Sequence, residues 1–196
     1  MKTILQPRLV NNPFGDPGLI IEFLFDKRAL LFDLGHLGPL TSQMLLKISD
    51  VFVSHTHIDH FIGFDRLLRV VFGRGKTIHL FGPANFIANV EGKLAGFTWN
   101  LVDRYSESVT LEVTEVHADR LIKARFSAID RFQKSDELIV RRNVVPKKEP
   151  PDHLQSVVII HVADHHRNGI IGVLSGNEQI RIIKQGLILH LFLENP

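Results

Sequence analysis

The chain has 196 residues, 44% of them apolar and 22% charged, with a formal net charge of +2. That length suits one substantial core, a single domain over 1–196, and excludes two comfortable ones. The complete lack of cysteine excludes disulfides and thiolate metal sites, and the mild charge excludes a broad nucleic-acid footprint.

No run approaches the roughly 18 apolar residues needed to span a bilayer. The stretch Met1 to Arg8 lacks the apolar core of a signal peptide. These observations predict a cytoplasmic protein with no membrane partner. Fourteen Phe stand against one Tyr and one Trp, which points to a buried core and gives little sign of a surface for stacking bases.

In chain order, a Pro/Gly/Asn-rich opening (Asn11 to Gly18) precedes a predicted strand at Leu19 to Phe25. Asp26-Lys27-Arg28 makes a turn, and Ala29 to Asp33 reads as the returning strand. Behind Pro39, the spacing of Leu40, Met44 and Ile48 predicts a short helix. Asp50 to Ser54 is an apolar strand. From Asp59 to Phe72, the positions of Ile62, Leu67, Leu68 and Val71 predict one amphipathic helix ended by Gly73. A strand at Thr77 to Phe81, a helix to Val90 and a hairpin over Thr110–Val116 and Leu121–Ile129 follow. Phe132 to His153, charged and bearing three prolines, reads as a long exposed connection. Gln155 to Val162 and Ile170 to Leu174 read as strands, and Glu178 to Leu189 as a terminal helix. Strands and helices interleave, so the class is α/β with mixed layers.

The chemistry concentrates in His55-Thr56-His57-Ile58-Asp59-His60, between a buried strand and a helix. Three histidines and an aspartate in six residues are hard to explain by packing, because both types are uncommon in cores without partners. His55 and His57, two apart, can project to one side and share a metal ion. Asp59 and His60 lie on the following turn, aimed at a second ion. Paired ions roughly 3.5–4 Å apart suit hydrolysis.

This run resembles the H-x-H-x-D-H signature of the metallo-β-lactamase superfamily. The flanking residues are similar to its ribonuclease Z-like branch: Phe52-Val53-Ser54 before the run, Phe61-Ile62-Gly63 after it, and Leu80-Phe81-Gly82-Pro83 one strand later. Upstream, Leu31-Phe32-Asp33-Leu34-Gly35 resembles the superfamily's first motif. The resemblance implies an αββα sandwich, incomplete on its C-terminal side, and a zinc-dependent phosphodiesterase or endoribonuclease of the tRNA 3′-processing kind. It implies His55 and His57 as ligands of a first zinc, Asp59 and His60 of a second, and Asp33 as the residue that orients the loop. Asp59 would also transfer protons. A third ligand to the first zinc falls at Ala163-Asp164-His165-His166, with His165 preferred to His166. One or two zinc ions are implied; manganese or iron also suits a mixed His/Asp pair. RNA, a tRNA precursor, or a small phosphodiester is the implied partner, and a homodimer is compatible with it.

The chain also departs from the family. After His166 it offers no Asp, and only His190, which reads as part of an apolar helix face. A non-catalytic metal- or partner-binding member is therefore the second reading. A superfamily hydrolase of thioesters, lactones or β-lactams is the third, since the same motif serves all these chemistries. No basic arm for gripping tRNA is evident.

Other motifs carry less. Gly75-Lys76-Thr77 is no P-loop, because Val70 stands where that motif needs glycine. No Gly-x-Ser-x-Gly elbow occurs. His36 reads as a solvated loop residue, and His79, His117 and His161 as ordinary sheet or turn residues. Phe14, Asp16 and Pro17 form a turn that would border the site.

Overall fold

The computed structural model describes residues 5–141 and the backbone of residues 156–164, 167–175, 179–184 and 187–192. The chain divides into two compact units, Met1–Arg141 and Arg142–Pro196.

The first unit is built on one eight-stranded sheet whose spatial order follows the sequence. Its strands are β1 (Leu5–Leu9), β2 (Leu19–Phe23), β3 (Ala29–Phe32), β4 (Ile48–Phe52), β5 (Thr77–Gly82), β6 (Thr110–Val116), β7 (Arg120–Ser127) and β8 (Leu138–Arg141). The flanks are antiparallel and the centre, β3 to β6, is parallel. Parallel neighbours need crossover connections, and the helices supply them. Helix α1 (Ser42–Lys47) lies between β3 and β4. Helices α2 (Ile58–Phe61) and α3 (Phe64–Val71) lie between β4 and β5, and α4 (Phe86–Ala95) between β5 and β6.

Residues in register share a face of a sheet. Ile20, Leu31, Val51, Leu80, Val113 and Ala124 form one such row across six strands. All are buried in the core shared with Leu45, Phe64, Leu67 and Phe86 of the helices. The neighbouring row faces the other way and stacks Phe32 on Phe52 at 4.9 Å and Phe52 on Phe81 at 5.0 Å. Two positions from Phe52 on this face, Asp50 is only 3% exposed. Its carboxylate is held by Arg28 at 3.1 Å and accepts the Ser49 hydroxyl at 2.6 Å. A buried carboxylate is tolerable on such terms.

The second unit is a four-stranded antiparallel meander of β9 (Ser156–Asp164), β10 (Arg167–Ser175), β11 (Gln179–Lys184) and β12 (Leu187–Phe192).

The interleaved α/β class is as expected, and the structure corrects several elements. β1 precedes the Pro/Gly/Asn-rich opening, where no strand was expected. The helix expected over Asp59 to Phe72 is two helices broken at Ile62-Gly63. The connection from Phe132 opens on one buried residue, Phe132 at 4% exposed, and is exposed as expected from 133 to 141, but Leu138–Arg141 adds β8 to the sheet edge. The terminal helix is a pair of strands instead. The segment is rich in β-branched Ile, which favours extended backbone, and β11 pairs with β12 in antiparallel register. His190 accordingly sits in β12 opposite Arg181, not on a helix. Among the described residues, no helix is long and apolar enough to cross a membrane.

The core row sets a stability test. Leu80→Ala, fully buried in a central strand, should cost about 2–5 kcal/mol in urea unfolding. Leu138→Ala, on the exposed edge strand, should stay within about 0.5 kcal/mol.

Candidate metal centre

Asp33 follows β3, and the run 54–60 follows β4. The two strands are parallel, so both segments emerge at one edge of the sheet, the carboxyl end where open α/β sheets place ligands. Asp33 adopts a left-handed conformation (φ 57°), which Asp tolerates better than most residues. The Asp33 Oδ1 accepts the Ser54 backbone N–H at 2.7 Å, and its carboxylate accepts the Ser54 hydroxyl at 2.9 and 3.0 Å. Oδ2 also faces His60 Nδ1 at 3.0 Å.

The backbone adds a second clasp. Leu34 N–H donates to the His60 carbonyl at 2.8 Å, and Gly63 N–H donates to the Leu34 carbonyl at 2.7 Å. Gly63 thereby gives its donor to another segment instead of the helix ladder, which explains the break between α2 and α3. Close approach requires glycine here. A Cβ on Gly63 would strike the Gly35 carbonyl, and one on Gly35 would lie 2.5–2.7 Å from the Pro17 carbonyl, Asp16 Cβ and the Asp59 carbonyl. On the far side, Asn89 of α4 donates to Thr56 Oγ1 at 2.8 Å.

These contacts fix the protons. A carboxylate has acceptors only, so Ser54 gives its one hydroxyl proton to Asp33, and His60 Nδ1 must carry a hydrogen. The Ser54 oxygen, 3.0 Å from His55 Nδ1, then accepts from a protonated Nδ1 there too. When neutral, both rings keep their Nε2 lone pairs for a ligand, as metal-binding histidines do. The His55 ring lies 3.8 Å from that of His60 and 4.5 Å from that of His57. His60 Nε2 stands 3.6 Å from Asp59 Oδ2. Nitrogen and carboxylate donors of this kind suit zinc. Among the described residues, no group of three such side chains is close enough to hold one ion.

Burial, reinforced by the neighbouring His60 and His57 rings, lowers the pKa of His55. The hydrogen bond that His60 donates to Asp33 raises that of His60, against the opposing effect of burial.

The structure thus brings together His55, His57, Asp59, His60 and Asp33 of the residues singled out in the sequence. His165 and His166 lie outside the described residues. His36 is exposed and lines a cavity of about 550 Å³ with Asn12, Asp16 and Ile62; Phe14 is 94% exposed. His79 pairs with Glu112 at 3.2 Å, and His117 with Glu115 at 3.0 Å. Ser54 was missed as a functional residue. Its signal was a small hydroxyl side chain between the strand and the first histidine.

The two histidines should titrate in opposite senses in the metal-free protein. A raised His60 stabilises the fold below the ordinary imidazole range, and that contribution fades as pH rises through its own value. A lowered His55 withdraws stability as pH falls. Imidazole NMR should show His60 keeping its proton to higher pH than His55, and Asp33→Asn should narrow the gap. The reverse order would contradict the hydrogen-bond assignment.

No family model matches the chain. Among curated proteins it is 30% identical over 89 residues to ribonuclease Z of Methanococcus maripaludis, covering 42% of this chain and 29% of that protein. It is 35% identical over 82 residues to ribonuclease Z of Methanocaldococcus jannaschii, covering 38% of this chain and 25% of that one. The matched region therefore spans under a third of either relative. Among solved structures, human tRNase Z short form aligns at 16% identity and a TM-score of 0.35, over 61% of this chain and 55% of that one. Yeast long-form RNase Z aligns at 14% and 0.40, over 56% and 17%. In sequence, the chain is similar to the ribonuclease Z-like branch of the metallo-β-lactamase superfamily.

Proposed function

We propose that this chain is a zinc-dependent hydrolase of phosphodiesters, with RNA as its substrate class. The observation that carries the reading is the proton arrangement around Asp33: Ser54 and His60 are pinned so that the neutral imidazoles of His55 and His60 keep their Nε2 lone pairs for a ligand. The curated relatives named ribonuclease Z support the phosphodiester and the RNA.

In this reading His55 and His57 hold a first ion, with His165 as its third ligand, and Asp59 and His60 hold a second. When bound, zinc supplies Lewis acidity that lowers the pKa of water and offsets charge on a phosphoryl oxygen. Asp59, whose side chain is half exposed, receives the proton of the attacking water on its carboxylate. Asp33 keeps the His60 Nδ1 proton in place, so the ring cannot turn or change tautomer. Asn89, through Thr56, holds the loop against α4. Manganese or iron would suit the Asp59–His60 pair as well.

Zinc content by elemental analysis and turnover of bis-p-nitrophenyl phosphate test this together. The purified chain should carry zinc and hydrolyse the ester. His57→Ala should lose metal and at least about 100-fold in rate, in line with losses at metal and second-shell positions, with an unchanged circular dichroism spectrum. Asp59→Asn should lose comparable activity, and His165→Ala should weaken zinc binding. A folded protein that takes up no metal would sink the reading. One that binds zinc without turnover would be a non-catalytic relative.

A further inference from the structure

The chain's one tryptophan and one tyrosine meet at a single cavity. It measures about 650 Å³, within the usual range for small-ligand pockets, and lies between α3 and the segment 97–105. Phe72, Phe97, Trp99 and Tyr105 line it, together with Asp65 and Arg69. It is separate from the metal centre, which precedes α3: at the helical rise, Arg69 sits about 9 Å along the axis from Gly63.

The aromatic wall is rigid. The Trp99 indole N–H donates to the Leu94 carbonyl at 2.8 Å, which fixes the plane of the ring. Phe72 stacks beside Trp99 at 5.6 Å, and Phe132 packs against it at 4.5 Å. Tyr105 meets Phe72 edge-on at 4.8 Å and is seated over Gly73, where a Cβ would lie 2.5 Å from the Tyr105 ring. Even so, Phe97 is 45% and Tyr105 50% exposed, so much of this aromatic surface stays open to a ligand.

The charges around the cavity are unequal. Asp65 is engaged through Oδ2 by Lys93 at 3.2 Å, and its buried Oδ1 has no partner among the described residues. Arg66 gives its guanidinium to the carbonyls of Leu37 and Leu40 at 3.0 and 3.1 Å. Arg69, exposed on the same face of α3, makes no hydrogen bond or ion pair among the described residues. A planar aromatic wall beside an uncommitted guanidinium matches a ligand with a flat ring and an anionic group. An acyl chain or an apolar peptide side chain would leave the cation unused.

We infer that this cavity binds a nucleotide, its base against Phe97, Trp99 and Tyr105 and its phosphate on Arg69. Aromatic side chains accept any base by stacking, so the site selects the nucleotide class and not a sequence. The inference stands apart from the hydrolase reading, because nothing in the cavity depends on metal.

The single tryptophan makes its own fluorescence the readout. The metal-free 196-residue chain is titrated with AMP, adenosine, ribose 5-phosphate and a short oligoadenylate. AMP should quench saturably, adenosine more weakly, and ribose 5-phosphate not at all. Arg69→Ala should weaken AMP about tenfold, as loss of one charge-assisted phosphate contact does, and leave adenosine unchanged. Phe97→Ala, at a position 45% exposed, should weaken both while the circular dichroism spectrum stays unchanged. Oligoadenylate binding more tightly than AMP identifies an unpaired nucleotide of a strand as the occupant; equal binding identifies the free nucleotide. No saturable response at millimolar AMP, or a response unaltered in both variants, overturns the inference.

Discussion

The carboxylate of Asp33 is the contact on which the rest of the candidate centre depends. It joins the end of β3 to Ser54, two residues past β4, and, through His60, to the single turn of α2. Three donors converge on one side chain, from a backbone amide, a hydroxyl and an imidazole. Hydrogen bonds to a charged acceptor are roughly twice as strong as neutral ones, which offsets the left-handed backbone that Asp33 must adopt. That strain costs on the order of 1 kcal/mol and places the carboxylate beneath Ser54.

What positions Asp33 is the parallel centre of the sheet. The register of β3 with β4 sets Phe32 beside Phe52, and the Asp33 N–H continues the ladder to the Phe52 carbonyl at 2.8 Å. One strand further, the Val53 N–H reaches the Phe81 carbonyl at 2.8 Å. The strands therefore leave the sheet in register, and their first irregular residues meet. Leu31, Val51 and Leu80 hold this register from the helix-covered face. A slip of one residue would turn that whole row to the opposite face.

Much of the first unit was legible in the sequence, because its signals were redundant. The apolar run that opens at Leu19, the Pro-started helix before β4 and the hairpin of β6 and β7 each had a pattern and a boundary. The six-residue run from His55 was legible because its composition has no packing explanation. Other features were hidden because they depend on contacts distant in sequence. Nothing local shows that Gly63 donates to Leu34, so the periodicity of residues 59–72 read as one helix. The hydroxyl of Ser54 stands beside the first histidine in the sequence, but its bond to Asp33 joins residues 21 apart. The apolar stretch after Glu178 suits helix or strand by composition, and pairing decided it. The aromatic count misled in another way: one Trp and one Tyr are few, but they stand together.

Gly35 and Gly63 face each other where α2 crosses the end of β3, with no space for a methyl group between them. The loop carrying the histidines is therefore shaped by main-chain contacts, while the side chains of His57 and Asp59 are exposed and meet the rings of His55 and His60 respectively. Shape and chemistry are in this way assigned to different atoms. Such a scaffold can exchange the donors it presents without relearning how to fold. A loop held in this way is formed before any ligand arrives, so binding there would require little further ordering of the protein.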